Sequence, residues 1–253
     1  MSTIAIIPAR YASTRFPGKP LAKDTGKFLI QHVYEQVRRA PVLDRVIVAT
    51  DDDRIASAVA SFGGECVLTR ADHPSGTDRV AEVAQTLDCD IVLNIQGDEP
   101  EIEPDAVQAL IAMLEGGDSP MATLACGFDD LQRCGINADP RDPGCVKVVI
   151  AQGRAIYFSR SLVPYPRNSV ADCAGPYLHL GTYGYRREFL LQLAALKPTP
   201  LERIEGLEQL RVLEHGYSIA VGLVERAAVG IDTPEDYAAF VTRYARSLSE
   251  VTG

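Results

Sequence analysis

Short apolar runs alternate with amphipathic stretches along the first half of the chain, and this alternation restricts the fold more than any other feature. The apolar runs have the length of buried strands and cover residues 4–7, 45–49, 66–68, 91–96 and 121–125. The stretches between them repeat apolar side chains at helical spacing and cover residues 28–39, 52–62 and 76–87. Strands that alternate with helices predict an α/β fold, namely a Rossmann-like, mainly parallel sheet flanked by helices.

The second half of the chain departs from this alternation. Two strand-like runs, 146–150 and 155–158, are separated by a short turn that contains Gly153, which predicts a β-hairpin. A helix is predicted over 201–213, with Glu208 at the edge of its apolar stripe. On this pattern alone, Glu208 is either a site residue or a solvated helix carboxylate.

These patterns predict one domain of 253 residues with a smaller mixed subdomain that carries the hairpin. The expected segments are a first half over 1–125, the mixed subdomain over 126–225 and a return to the first half over 226–253. No elements are predicted for residues 126–145. The Pro- and Gly-containing loop 161–177 is either mobile, closing over a ligand, or a plain surface excursion.

A basic loop follows the first predicted strand. Residues 8–21 read PARYASTRFPGKPL and hold Arg10, Arg15 and Lys19, whereas residues 1–22 contain no Asp or Glu. Ligands of open α/β sheets bind beyond the carboxyl ends of the strands, so this loop predicts an anionic, phosphate-bearing ligand. The alternative is a solvated basic turn. Neither a Walker loop nor a G-x-G-x-x-G motif is present, which argues against kinase-type and dinucleotide sites.

An acidic turn follows the fourth predicted strand. Gln96-Gly97-Asp98-Glu99-Pro100 places two carboxylates at the sheet edge where the basic loop is also expected. Carboxylate oxygens shared with substrate phosphates are typical ligands of Mg²⁺, so the turn predicts a magnesium site. The alternative is an ordinary polar turn.

Composition limits the classes of partner. A formal net charge of −9 argues against non-specific binding of nucleic acid, which needs a broad basic surface. The six cysteines form no C-x-x-C pair and no zinc spacing with the four histidines, so we expect reduced thiols. No signal-like segment and no apolar run of about 18 residues occurs, so we expect a cytoplasmic protein without membrane spans.

The basic loop resembles the opening motif of the sugar nucleotidyltransferases and is most similar to that of the CMP-Kdo synthetase family, where Kdo is 3-deoxy-manno-octulosonate. The resemblance extends almost end to end through the ordered motifs TRADHPSGTDR (69–79), QGDEP (96–100), YFSR (157–160), HLGTYGYR (179–186), LEQLR (207–211) and GIDTPED (230–236). It implies transfer of CMP from CTP to Kdo with release of pyrophosphate, for lipopolysaccharide biosynthesis. It also implies a homodimer.

The resemblance assigns roles to individual residues. It implies that the nucleotide is held by Pro8, Arg10, Ser13, Arg15, Lys19, Ser75, Gly76 and Asp78, with 75–79 selecting cytosine. It implies Mg²⁺ at Asp98 and Asp232, which with Lys19 are the expected catalytic residues. It implies that the sugar acid is held by Gln96, Arg160, His179, Tyr183, Glu208 and Gln209. The segment 1–125 is then the nucleotide-binding half, and 126–225 serves sugar binding and dimerisation.

Several alternatives stay open. Gly144 stands where the family usually has Asn, and Leu178 replaces a basic residue beside the expected sugar site. A related acceptor, such as 8-amino-Kdo or a sialic acid, is therefore the second hypothesis. A third is a non-catalytic sensor of CTP and sugar. Asp232 has its own alternative, which is to favour the positive end of the helix predicted after Thr233.

Overall fold

A computed structural model describes residues 1–134, 136, 138–167 and 175–251. The strands are β1 (Thr3–Ala9), β2 (Arg45–Thr50), β3 (Glu65–Leu68), β4 (Ile91–Asn94), β5 (Met121–Gly127), β6 (Lys147–Ala151), β7 (Arg154–Ser159), β8 (Tyr177–Arg186) and β9 (Ile219–Val224). The helices are α1 (Leu29–Arg38), α2 (Asp53–Ser61), α3 (Gly76–Gln85), α4 (Pro104–Gly116), α5 (Phe128–Arg133), α6 (Arg187–Ala195), α7 (Pro200–Glu205), α8 (Gln209–Glu214) and α9 (Pro234–Val251), with a 3-10 turn at Lys19–Leu21.

The chain divides into two compact units. The first unit comprises residues 2–88, 94–104 and 228–253, and the second comprises residue 1 with 89–93 and 105–227. This division differs from the expected boundaries, because 105–125 groups with the mixed strands rather than with the first half. The return of the chain at 228 lies close to the expected 226.

The first unit contains parallel strands in the order β3-β2-β1, with Ile6 opposite Ile47 and Ile47 opposite Glu65. Apolar residues fill β1 and β2 because both faces of a parallel sheet are covered. Its hydrophobic core cluster joins α1 to α9 through Leu29, Tyr237 and Phe240, together with Ile231. The predicted β-α-β order is confirmed here, and each predicted boundary lies within two residues of the observed one.

The second unit has the strand order β4-β8-β5-β9-β7-β6 and is mixed. Strand β5 is parallel to β9 but antiparallel to β8. The predicted hairpin is confirmed as β6–β7, whose turn places Gln152 at φ 51° and Gly153 at φ 71°. The expected α/β fold with a mixed, hairpin-bearing part is therefore confirmed.

The single helix predicted over 201–213 is wrong. Gly206 adopts the left-handed conformation, with φ 63°, and ends α7, and the next helix, α8, begins at Gln209. An apolar stripe calculated for one continuous helix therefore does not exist across that break. Ile204, in α7, is 78% exposed rather than part of an apolar face. Glu208 lies directly before α8 instead of in mid-helix.

Two predicted loops are only partly described. Residues 126–145 contain the end of β5 and the helix α5, for which the sequence made no prediction. In the loop 161–177, residues 168–174 lie outside the described residues, so the choice between a closing loop and a surface excursion stays open. In the described part of the chain, none of the helices combines the length and apolar character of a membrane span.

Candidate active site

In the first unit, the basic loop after β1 is closed by a backbone hydrogen bond. Gly18 N donates to Tyr11 O at 3.0 Å, and Gly18 has φ 72°, a left-handed conformation that favours glycine. The Tyr11 ring lies against Gly18 on one side, and the Arg54 guanidinium lies 3.3 Å from the ring centroid. This closure fixes where the chain enters the 3-10 turn that carries Lys19.

Lys19 joins the two predicted acids. Its Nζ donates to Asp98 Oδ2 at 2.6 Å and to the carbonyl oxygen of Ile231 at 2.6 Å, and it lies 3.8 Å from Asp232 Oδ1. Asp232 Oδ1 is also 3.0 Å from Arg15 Nη2. The structure therefore brings together the three residues that the resemblance singled out for catalysis, with two cations and two carboxylates in alternation.

The turn that carries Asp98 packs tightly against the end of β1. A Cβ atom on Gly97 would lie 2.8 Å from the carbonyl oxygen of Pro8, closer than such atoms approach. The Gly76 backbone also lies beside the Pro8 ring, since a Cβ atom added to Gly76 would lie 3.6 Å from Pro8 Cγ. Predicted nucleotide-binding residues from two segments thus meet at the end of β1, with the half-buried Gln96 next to Gly97.

At the N-terminus of α9, the predicted cap is confirmed. Thr233 Oγ1 accepts from Asp236 N at 3.1 Å, and Asp236 Oδ2 accepts from Thr233 N at 2.9 Å. Hydrogen bonds to Thr233 and to the Asp232 amide lower the pKa of the Asp236 carboxyl, against the effect of its desolvation. Thr233 and Asp236 cap the helix, so the Asp232 carboxylate is left to face the basic loop.

The other predicted nucleotide-binding residues lie around the loop and α3. Ser75 caps α3, accepting from Asp78 N at 3.1 Å and donating to Asp78 Oδ2 at 2.7 Å. Ser13 Oγ accepts from Phe16 N at 3.3 Å, and the Arg10 side chain is exposed beyond β1. Arg79, at the end of the same motif, is fully buried, with Nη2 3.3 Å from Asp51 Oδ2.

In the second unit, His179 and Tyr183 lie together on β8. Their ring centroids are 5.4 Å apart, and the Phe158 ring meets His179 edge-on at 4.9 Å. Burial lowers the pKa of His179 to about 3, and it raises the pKa of Tyr183 well above its usual range, with the Glu208 charge adding to that rise. Both rings are therefore neutral at physiological pH. The predicted Gln209 is buried at the start of α8.

Arg160 follows β7 and is held by backbone carbonyls. Its guanidinium donates to Glu205 O at 2.7 Å, to Pro143 O at 3.0 Å and to Gly206 O at 3.4 Å. The Glu205 carboxylate accepts from the Arg160 amide at 2.9 Å and from the Ser159 hydroxyl at 2.7 Å. These bonds lower the pKa of Glu205 against its desolvation.

Sequence reasoning missed Lys147, a cation that is fully buried in β6. Its Nζ donates to the carbonyl oxygens of Arg160 and Asp142, at 2.5 Å and 3.0 Å, and burial lowers its pKa. It thereby ties the Pro143 loop to Arg160. A lysine between valines in a predicted strand was the available signal, because such a position is normally apolar.

Comparison with known proteins gives consistent matches. Residues 4–219 match the family model described as cytidylyltransferase. The 3-deoxy-manno-octulosonate cytidylyltransferase of Syntrophotalea carbinolica is 50% identical over 245 residues, covering 93% of this chain and 96% of the relative. That of Syntrophobacter fumaroxidans is 52% identical over 246 residues, covering 95% and 96%.

Among solved structures, CMP:2-keto-3-deoxy-manno-octonic acid synthetase complexed with CTP superposes with a TM-score of 0.90 and 40% identity, covering 98% of this chain and 100% of the other. A glucose-1-phosphate thymidylyltransferase from Bacillus anthracis, described as putative, has a TM-score of 0.68 at 13% identity, covering 96% and 95%, and shares the fold alone.

Proposed function

The chain belongs to the cytidylyltransferase family, as a 3-deoxy-manno-octulosonate cytidylyltransferase, and from this premise we propose how its residues perform the reaction. The enzyme activates Kdo with CTP. A sugar hydroxyl oxygen forms a bond to the α-phosphorus of CTP, the bond from that phosphorus to the bridging oxygen breaks and pyrophosphate leaves. The hydroxyl proton passes to water. CMP-Kdo and pyrophosphate are the products.

One observation carries the residue assignment, namely the contact of Lys19 with Asp98 and Asp232. Phosphoryl and nucleotidyl transfers gain most from positioning and from neutralising charge on the phosphates. The Lys19 ammonium, with 14% of its side chain exposed, and the Arg15 guanidinium are two such neutralising groups at one place in the first unit. We assign Arg10, Ser13, Arg15 and Lys19 to the triphosphate.

A magnesium ion fits the same residues. Asp98 and Asp232 offer hard oxygen donors, and both approach a single cation, the Lys19 ammonium. Among the described residues, no group of three or more His, Cys, Asp or Glu side chains forms a metal cage. A pair of carboxylates suits Mg²⁺, which is commonly bound by one or two carboxylates together with phosphate oxygens and water. Bound there, it would supply charge neutralisation and a lower pKa for the attacking hydroxyl.

The remaining assignments follow the chemistry of each group. We assign selection of cytosine to Pro8, Gly76 and the capped Ser75–Asp78 turn, because small side chains and backbone groups suit recognition of a base by shape and hydrogen bonding. For the sugar acid we assign Gln96 in the first unit. In the second unit we assign Arg160, His179, Tyr183, Glu208 and Gln209, which combine a cation with neutral hydrogen-bonding groups.

A pyrophosphate-release assay tests the reaction and the metal together. CTP, UTP and ATP are each supplied with Kdo, 8-amino-Kdo or a sialic acid, with Mg²⁺ present or chelated. We expect release with CTP and Kdo and its loss on chelation. Equal release with chelated metal would contradict the magnesium assignment, and tight CTP binding with no release for any acid would contradict the enzyme.

We also propose a homodimer formed through the second unit. Ile156, Ile204 and Leu223 are large apolar side chains of that unit, each more than half exposed. Such exposure is typical of protein contacts, although single exposed residues are common. Light scattering after gel filtration should give twice the 27.4 kDa chain mass, and Ile204→Glu should halve it. A monomeric wild type would contradict the proposal, as would a dimer that survives Glu at all three positions.

A further inference from the structure

A β-bulge lies beside the two aromatic rings of the proposed sugar site. Strands β5 and β8 pair antiparallel, but their register shifts between Thr123 and Leu124, which face Tyr183 and Leu180. Gly181 and Thr182 are therefore extra residues on β8. Bulges re-aim neighbouring side chains and are common next to active sites.

The Thr123 hydroxyl lies within hydrogen-bond distance of two carbonyl groups of this bulge. Its Oγ1 lies 3.1 Å from the carbonyl oxygen of Leu180, 3.0 Å from that of Thr182 and 3.1 Å from His179 Nε2. Thr123 is fully buried. One hydroxyl thus contacts three polar atoms with a single proton to donate.

Hydrogen-bond chemistry decides the direction of the bond to His179. Carbonyl oxygens only accept, so the hydroxyl proton belongs to Leu180 O or Thr182 O. A proton aimed at the ring would instead leave the hydroxyl lone pairs facing two carbonyl oxygens at about 3 Å, and this repulsion between like partial charges is costly in a buried place. Thr123 Oγ1 must then accept, and His179 Nε2 must carry the ring proton.

The other ring nitrogen is left as an acceptor. The buried His179 ring is neutral and carries one proton, so protonation at Nε2 leaves a lone pair on Nδ1. Within the described residues, the His179 ring makes its hydrogen bond through Nε2 alone. Phe158 and Tyr183 hold the plane of the ring through edge and tilted contacts.

We propose that Thr123 is a positioning residue that fixes His179 as its Nε2–H tautomer, so that Nδ1 accepts a hydrogen bond from a hydroxyl group of the sugar acid. The inference rests on the proposed function only for placing His179 at the sugar. The tautomer itself follows from the bulge.

The tautomer is measured first, without turnover. Two-bond proton–nitrogen spectra of the protein labelled with ¹⁵N-histidine report which ring nitrogen is protonated, and His179→Gln identifies the His179 signals. We expect the Nε2–H form in the wild type and in Thr123→Ser, and a mixture or the Nδ1–H form in Thr123→Val. An Nδ1–H wild type would overturn the proposal even if no variant folded.

Kinetics then separate positioning from a general loss of structure. Thr123→Val should raise KM for Kdo about tenfold, the scale of one hydrogen bond, with KM for CTP unchanged. Thr123→Ser should restore the low KM for Kdo. Thr3→Val, which removes a hydroxyl from a buried position at the start of β1, is the matched control and should leave both KM values unchanged. Equal increases for both substrates in Thr123→Val would contradict the proposal.

Kdo binding gives the last readout. Saturating Kdo should shift the Nδ1 resonance of His179 in the wild type. Turnover of Kdo without that shift would overturn the Nδ1 contact and leave the proposed function intact. Absence of Kdo turnover in a protein with the Nε2–H tautomer would instead refute the function while sparing the role of Thr123 in the tautomer.

Discussion

At the residue scale, the most informative side chain is Asp232. On sequence alone it is either a metal ligand or a charge that favours the start of α9. The structure assigns capping to Thr233 and Asp236, while the Asp232 carboxylate faces Arg15 and Lys19. Because other residues cap α9, its stability gives little reason for a carboxylate at position 232, and this favours the metal-ligand role over the helix-dipole role.

Asp232→Asn should separate these two roles. We expect turnover to fall by at least about 100-fold, because the amide is a poor metal ligand. The melting temperature should change by less than about 4 °C, since the ion pair lost to Arg15 is exposed. The measurement is pyrophosphate release over a magnesium titration, alongside a thermal melt. Near-normal rates at limiting Mg²⁺ would contradict the metal assignment.

Arg160→Lys tests the sugar side. A lysine keeps the charge but cannot donate at once to the carbonyls of Glu205 and Pro143 while presenting a fork to a carboxylate. We expect KM for Kdo to rise by about 10-fold or more, with a much smaller change for CTP. Initial rates with each substrate varied in turn provide the check. Equal effects on both substrates would show that Arg160 acts elsewhere.

At the scale of elements, the turn after β4 determines where Asp98 lies. Gly97 has no room for a side chain, because an added Cβ would meet the Pro8 carbonyl oxygen at 2.8 Å. Gly97→Ala should therefore displace the turn, costing about 1–3 kcal/mol of stability and most of the turnover. Gly116→Ala is the matched control, since a Cβ there meets nothing within 4 Å. A fully active, equally stable Gly97→Ala variant would refute this account of the turn.

The packing of α1 against α9 predicts acid sensitivity. His32 is buried between Phe240 and Tyr244, and burial lowers its pKa to about 4, with Lys27 adding to the effect and Glu35 opposing it. The unfolded chain, with an ordinary histidine pKa near 6.5, binds more protons between these values. Stability from His32 is thus present above about pH 6.5 and is lost as the pH falls towards 4, by up to about 3 kcal/mol.

Urea unfolding at several pH values measures this effect. The free energy of unfolding of His32→Gln should fall less steeply than that of the wild type between pH 6.5 and 4. His215→Gln, at an exposed position, serves as the control and should follow the wild type. Identical pH slopes for the wild type and His32→Gln would rule out the role given to His32.

At the scale of the whole molecule, ligand binding should appear as stability. A ligand present at about 100 times its Kd adds about 2.7 kcal/mol to the free energy of unfolding. CTP with Mg²⁺ should therefore raise the melting temperature, and UTP should raise it less. Lys19→Ala should lose most of this shift while it still melts cooperatively, since the Lys19 ammonium contacts the Asp98 carboxylate and a backbone carbonyl rather than apolar core side chains. A normal CTP shift in Lys19→Ala would contradict the phosphate role.

The sequence by itself determined the elements whose cause is local. Apolar runs between helical stretches predicted β1, β2 and β3, and the sequence around Thr233 predicted the start of α9. The resemblance added the candidate site, including the pairing of Asp98 with Asp232. These features follow from periodicity, turn chemistry and ordered motifs, which are all legible along one chain.

Only the tertiary structure decided the features that depend on contacts between distant segments. The helical stripe over 201–213 is interrupted because Gly206 takes a left-handed conformation that periodicity does not register. Strand β8 lacks regular alternation because its bulge is stabilised by the hydroxyl of Thr123 on another strand. Lys147 is tolerated inside β6 because two carbonyl oxygens surround its ammonium. Thr123 lies 57 and 59 residues from the two carbonyl groups that it contacts, and Lys147 lies 5 and 13 residues from its partners. Only folding brings these groups within hydrogen-bond distance.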